Sequence, residues 1–177
     1  MLLAMLPLLE GWSYKWITRS GKVRVGEGTK EIDKVEGRGF FLYSSAVLEG
    51  SLDAKYCNVI GEIDGPGKPF LLVENAEYMR YSGFVNPVPF GVMLTRYSDS
   101  DKVYKGVATL NEPIPFVRRV RLLVQPPRAP IEEPGVTEIK YDVSVGIVLI
   151  EDVELFRDSV RRVLGTRALP DLKALVG

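Results

Sequence analysis

The sequence predicts an all-β protein: an antiparallel β-sandwich or jelly roll with one C-terminal helix and an apolar N-terminal arm. Three observations predict it. Runs alternating with period two recur from Trp12 to Ile150, and that period marks half-buried strands. Turn-forming residues punctuate them, with 17 Gly and 12 Pro in 177 residues, as in sandwiches and barrels. Apolar residues at helical spacing occur only after Asp152. A closed barrel is the other arrangement of the same strands.

Each element has its own signal. Trp12, Tyr14, Trp16 and Thr18 alternate with Ser13, Lys15, Ile17 and Arg19, which predicts a first strand. Lys22–Val25 and Thr29–Val35 follow around Gly26-Glu27-Gly28, and Gly39–Leu48 is a longer apolar strand. Tyr56–Ile63 leads into Asp64-Gly65, a turn pair in which glycine accepts positive φ, with Phe70–Glu74 as the return strand. Phe90–Tyr97 and Lys102–Leu110 flank the polar turn Ser98–Asp101, and Phe116–Gln125 is the next strand. Four prolines between Pro126 and Pro134 predict an extended surface connection.

Residues 136–150 alternate most cleanly: Ile139, Tyr141, Val143, Val145, Ile147 and Leu149 share one face, with Glu138, Lys140, Asp142 and Ser144 opposite. That pattern predicts a long strand with one wet side. Asp152 is the expected N-cap of a helix whose stripe is Val153, Phe156, Val160, Val163 and Leu164. Asp158 and Arg162 are spaced to pair, Gly165 suits a C-terminal cap, and Pro170–Val176 would be a second short helix. The segments Asn86–Phe90 and Asn111–Phe116 echo each other as two proline-marked strand starts. The expected organisation is an arm at 1–11, a β-sandwich domain at 12–151 and a helical segment at 152–177.

Composition excludes several kinds of chemistry. With no histidine there is no imidazole base, shuttle or metal ligand. One cysteine leaves no internal disulfide and no cysteine-rich zinc site. Twenty-three basic residues balance 23 acidic ones, which argues against a general nucleic-acid-coating surface. Four Asn, one Gln and many charged residues and prolines fit a protein from a hot environment. The first nine residues are apolar but too few to span a bilayer, which takes ~20. They lack the basic start and cleavage site of a secretory signal.

Candidate sites are sparse. Cys57 sits in a strand-like run with no activating neighbour and reads as a small buried apolar group. Gly26–Lys30 lacks phosphate-loop spacing, and a strand follows where a helix belongs. Glu62, Asp64, Glu74, Glu77, Asp99 and Asp101 are the acids available for paired-carboxylate chemistry. Asp99 and Asp101, or Asp64 in its loop, are weak candidates for calcium. Arg118, Arg119 and Arg121, and Arg157, Arg161, Arg162 and Arg167, form two basic groups, read as ordinary ion pairs. The stripe Trp12, Tyr14 and Trp16 is core, subunit interface or small-ligand platform. The arm residues Leu2, Leu3, Leu6, Leu8 and Leu9 are expected to pack on the domain, a neighbouring subunit or a membrane surface.

The succession Trp12-x-Tyr14, Val35-Glu36-Gly37-x-Gly39-Phe40, Ile63-Asp64-Gly65, Pro89-Phe90 and Pro115-Phe116 resembles β-sandwich virion proteins of viruses infecting thermophiles. These are coat, turret, tail or decoration proteins, and the resemblance runs over about residues 12–150. It implies a non-catalytic building block of a symmetric assembly, located in the virion; otherwise the protein is cytoplasmic. The expectation is thus a structural protein that associates with itself or other assembly proteins. It needs no cofactor, no obligate small molecule and no transmembrane span, and nucleic acid is not an expected partner. The alternatives are a carbohydrate- or small-ligand-binding sandwich and a carboxylate- or metal-dependent enzyme.

Overall fold

The computed structural model describes residues 11–64, 69–73, 75–82, 90–135 and 138–164. Their order is β1 (Trp12–Arg24), β2 (Lys30–Glu36), β3 (Gly39–Glu49), a 3-10 turn (Leu52–Tyr56), β4 (Asn58–Ile63), β5 (Pro69–Val73), α1 (Ala76–Ser82), β6 (Phe90–Ser98), β7 (Val103–Phe116), β8 (Arg119–Gln125), β9 (Glu138–Ile150) and α2 (Val153–Leu164). The strands form two antiparallel sheets, ordered β1-β9-β3-β7-β6 and β2-β8-β4-β5. Each sheet has two edges, so the arrangement is sandwich-like and the barrel alternative fails. The arm and the segment from Gly165 to Gly177, including Arg167 and the expected second helix, lie outside the described residues, as do Glu74 and Asn86.

One core joins the sheets. Phe41, Ala46, Leu48, Tyr104, Val143, Val145 and Ile147 come from the five-stranded sheet, and Val35, Val59, Val120, Leu122 and Val124 from the other. The predicted inner face of β9 is correct: Ile139, Val143, Val145 and Ile147 are almost wholly buried. Its wet face is correct only for Glu138 to Ser144, because Val148 and Ile150 are buried too. They pack with Phe40, Phe156 and Val160 in a second cluster, beneath α2. Asp152 caps that helix, its Oδ1 accepting from Leu155 N at 2.7 Å. Val153 is exposed and not in the stripe, and Asp158 meets Arg161, not Arg162, at 3.3 Å.

Four other expectations are corrected. β1 runs unbroken through Gly21, all thirteen residues registering with β9. A Cβ at Gly21 would stand 2.5 Å from Tyr141 Oη, so the glycine makes room for a cross-strand ring rather than ending the strand. Tyr56 belongs to the 3-10 turn, so β4 starts later than expected. β7 continues to Phe116, so Asn111–Phe116 ends a strand instead of starting one, and the chain turns at Val117-Arg118. The unassigned stretch after Phe70–Glu74 contains α1, whose Ala76 and Met79 anchor it in the core.

Candidate functional site

Among the described residues, the sequence-predicted acids bond to separate partners, with Glu77 and Asp99 linked only through the contacting rings of Tyr97 and Tyr104. Glu62 takes Arg121 Nη1 at 2.7 Å. Asp64 accepts the backbone N–H groups of Val117, Arg118 and Arg119 at 2.7–3.2 Å, so it ties the β7–β8 turn. Tyr97 Oη donates to Glu77. Asp99 takes Tyr104 Oη at 2.7 Å, while Asp101 takes Arg96 Nη2 and Ser98 Oγ at 2.9 Å. Asp99 and Asp101 thus face different partners. Among the described residues no group of three or more carboxylate or thiol ligands surrounds a metal-sized space. Three of the arginines form ion pairs: Arg121 with Glu31 and Glu62, Arg157 with Glu154, and Arg161 with Asp158. Cys57 is fully buried, and burial pushes its thiol up to about 12, as expected of an inert apolar filler.

A polar cluster absent from the sequence reading surrounds Lys55. Its ammonium lies 3.1 Å from Glu132 and 3.5 Å from Asp99, between the Tyr56 and Tyr97 rings. Burial alone would lower its pKa, but the Glu132 hydrogen bond and the facing Tyr97 and Asp99 outweigh it and raise the value. A lysine held protonated is a cross-link, not a nucleophile. Burial and Glu132 push Tyr56 up to about 12, and burial and Asp99 raise Tyr104. Asp99, Glu132 and Glu133 are lowered, led by hydrogen bonds from Tyr104, Tyr56 and Lys102 respectively.

Both signs follow from linkage. Groups raised in the fold stabilise it fully below their unfolded values, about 8.5 for Cys57 and about 10 for the tyrosines and Lys55, and that stability is lost as pH rises. Lowered carboxylates stabilise it above about 4, and that stability is lost as pH falls. The urea midpoint is therefore expected to be flat from roughly pH 5 to 8 and to fall on both sides, on the alkaline side first through Cys57 and then through the tyrosines and Lys55. A midpoint that rises above pH 10 would contradict the Lys55–tyrosine arrangement.

The aromatic stripe divides. Trp12 is half-buried beside Phe40, 6.4 Å between ring centroids, under α2. Its buried indole N–H meets no acceptor among the described residues. Tyr14 and Trp16 are not core: they are 49% and 55% exposed on the outer face of the five-stranded sheet. Trp16 stacks on Tyr43 at 5.4 Å and 22°. Both register with Gly146, from opposite sides of β9. The bulge at Leu42 makes this contact possible. Without the extra residue Tyr43 would share the inward face of Phe41; with it, the ring points outward. Nothing in the sequence pattern signalled that bulge.

A second aromatic site sits at the opposite edge. α1 exposes Tyr78 and, at 77%, Tyr81. Asn75 Oδ1 accepts from Tyr78 N at 2.8 Å. Arg80 lies 4.7 Å from the Tyr97 ring centroid and donates to Tyr97 Oη at 3.2 Å. The Asn75 cap and the Ala76/Met79 spacing are the sequence signals that could have found this helix.

No helix among the described residues is long and apolar enough to cross a membrane. Comparison with protein-family models gives no match, and comparison with curated protein sequences gives none either.

Proposed function

We propose that this protein is a non-enzymatic assembly protein that docks to copies of itself or to other assembly proteins through α1. The carrying observation is the exposed pair Tyr78 and Tyr81 beside Arg80, on a helix clamped to the domain. Tyr and Arg are the side chains that dominate interface energetics, and rigid anchors lose little entropy on binding. The buried salt-linked lysine and the separately engaged acids support a structural reading over a catalytic one.

The sharpest form of the proposal is a symmetric virion component. Strand order supports it: β1-β9-β3-β7 facing β2-β8-β4-β5 fits a jelly roll with β6 added at one edge. Capsid domains use that architecture. The arm, with Leu2, Leu3, Leu6, Leu8 and Leu9, directly precedes edge strand β1. Burying several such side chains on a neighbour contributes about 1.5–3 kcal/mol each. The β1 edge itself carries Lys15, Arg19, Lys22 and Arg24 and no acid, which disfavours pairing with a second β1.

Light scattering over a concentration series tests the proposal. A discrete oligomer is expected, weakened at least about tenfold by Tyr81→Ala, the effect of ~1.4 kcal/mol, and also weakened by deletion of residues 1–9. A monomer at every concentration in all three proteins would sink the homomeric form.

A further inference from the structure

We infer that the outer face of the five-stranded sheet is a binding site for a neutral oligosaccharide, with Trp16 as its stacking residue. This goes beyond the assembly reading and uses a different surface from α1. Register places the face in rows. Trp16, Gly146 and Tyr43 form one row; Thr18, Ser144 and Ser45 the next; then Ser20, Asp142 and Val47; then Lys22, Lys140 and Glu49. The last two rows line an open depression of about 450 Å³. Along β1, Trp16 to Lys22 spans roughly 20 Å at ~3.3 Å per residue, the reach of several sugar rings in line rather than one.

The chemistry of the rows selects the ligand. A pyranose has an apolar C–H face and a rim of hydroxyls. One side of Trp16 is against Tyr43, and its exposed remainder is free to stack. Gly146 leaves room beside these rings for Tyr14: a Cβ there would lie 2.9 Å from Tyr14 Oη. Thr18 Oγ1 and Ser144 Oγ lie 3.1 Å apart, and each hydroxyl has the chemistry to donate or accept. Asp142 and Glu49 accept from sugar hydroxyls, and Lys140 donates.

Charge decides against the other occupants. Lys22, Arg24, Lys105 and Lys140 share this face with Glu49, Glu138 and Asp142, and Lys22 already pairs with Glu138 at 2.6 Å. A phosphate backbone would meet those three carboxylates along with the ammonium groups. An apolar peptide would have to desolvate two carboxylates and two ammonium groups without replacing their partners.

The test uses full-length Trp12→Phe protein, in which Trp16 is the only indole. Its emission is titrated with cellohexaose, maltohexaose and chitohexaose up to about 1 mM. At least one hexaose should give a saturable emission change. Calorimetry on otherwise unaltered protein should show at least about tenfold weaker binding in Trp16→Ala and in Asp142→Asn, with Gly28→Ala binding unchanged. No response to any hexaose overturns the inference, as does equal affinity in the Trp16 and Asp142 variants. Light scattering on Trp16→Ala separates this inference from the assembly proposal. An unchanged mass supports a ligand face; a fall in mass means that the face is a subunit contact and overturns the inference.

Discussion

Gly39→Ala should cost more than about 3 kcal/mol, the upper end for overpacking, and lower the urea midpoint with little change in slope. Gly39 is buried in the central strand β3, opposite Phe116 of β7 and Leu149 of β9. A Cβ there would sit 1.8 Å from Val148 O, 2.8 Å from Val148 C and 3.0 Å from Leu149 Cα. All three are backbone atoms, so no rotamer change relieves the clash and the ladder itself must part. The strands that would part carry Phe40 and Val148 into the α2 cluster, so α2 should loosen with them. Gly28→Ala is the control. Nothing lies within 4 Å of its Cβ position, and the change should be neutral or stabilise by about 0.4–1 kcal/mol. Equal effects at the two positions would mean that close strand approach at Gly39 is not what its glycine provides.

That contrast shows what pattern reading reaches. Period two in Ile139 to Leu149 specifies which side of β9 meets the core, because burial acts on every second residue regardless of partner. It is silent on Val148 and Ile150, whose outer-face burial depends on a helix packing back from later in the chain. Trp12, Tyr14 and Trp16 look alike in sequence, yet α2 covers the first and not the other two. Tyr43 is harder still. Its outward direction comes from one bulged residue, Leu42, and that follows from register with two neighbouring strands, a non-local property. No sequence pattern marks the charged Lys55 and Asp53 as interior, yet both are buried, because the segment Ile131–Glu133 folds over them. The resemblance to virion proteins rested on turn and strand signals, which specify where the chain bends more than what it binds.

Asp64 is the acid for which the structure most changes the sequence reading, and replacing it should be the most damaging single change outside the core. Read alone, Ile63-Asp64-Gly65 is a turn pair with a carboxylate available for metal or catalysis. In the fold Asp64 has φ 58°, a left-handed conformation that costs most L-residues about 1–2 kcal/mol and that Asp and Asn tolerate best. Its Oδ1 lies 3.0 Å from Val117 N, 2.7 Å from Arg118 N and 3.2 Å from Arg119 N, and its own N–H donates to Arg119 O at 2.9 Å. One side chain therefore holds the β7–β8 turn, where the chain crosses from the five-stranded sheet to the four-stranded one. Asp64→Ala removes the acceptor and keeps the strained φ, and should cost roughly 3 kcal/mol, partly offset because water reaches Arg118 N. Asp64→Asn keeps one carbonyl acceptor and the tolerated φ, and should cost about 1 kcal/mol. Asp64→Gly relieves the φ but not the lost hydrogen bonds, so it should fall between them. Urea unfolding of the three variants orders these contributions. A glycine variant as stable as the wild type would show that the three backbone hydrogen bonds add nothing. An alanine variant as stable as the asparagine one would release Asp64 from the turn and return it to the pool of acids available for chemistry.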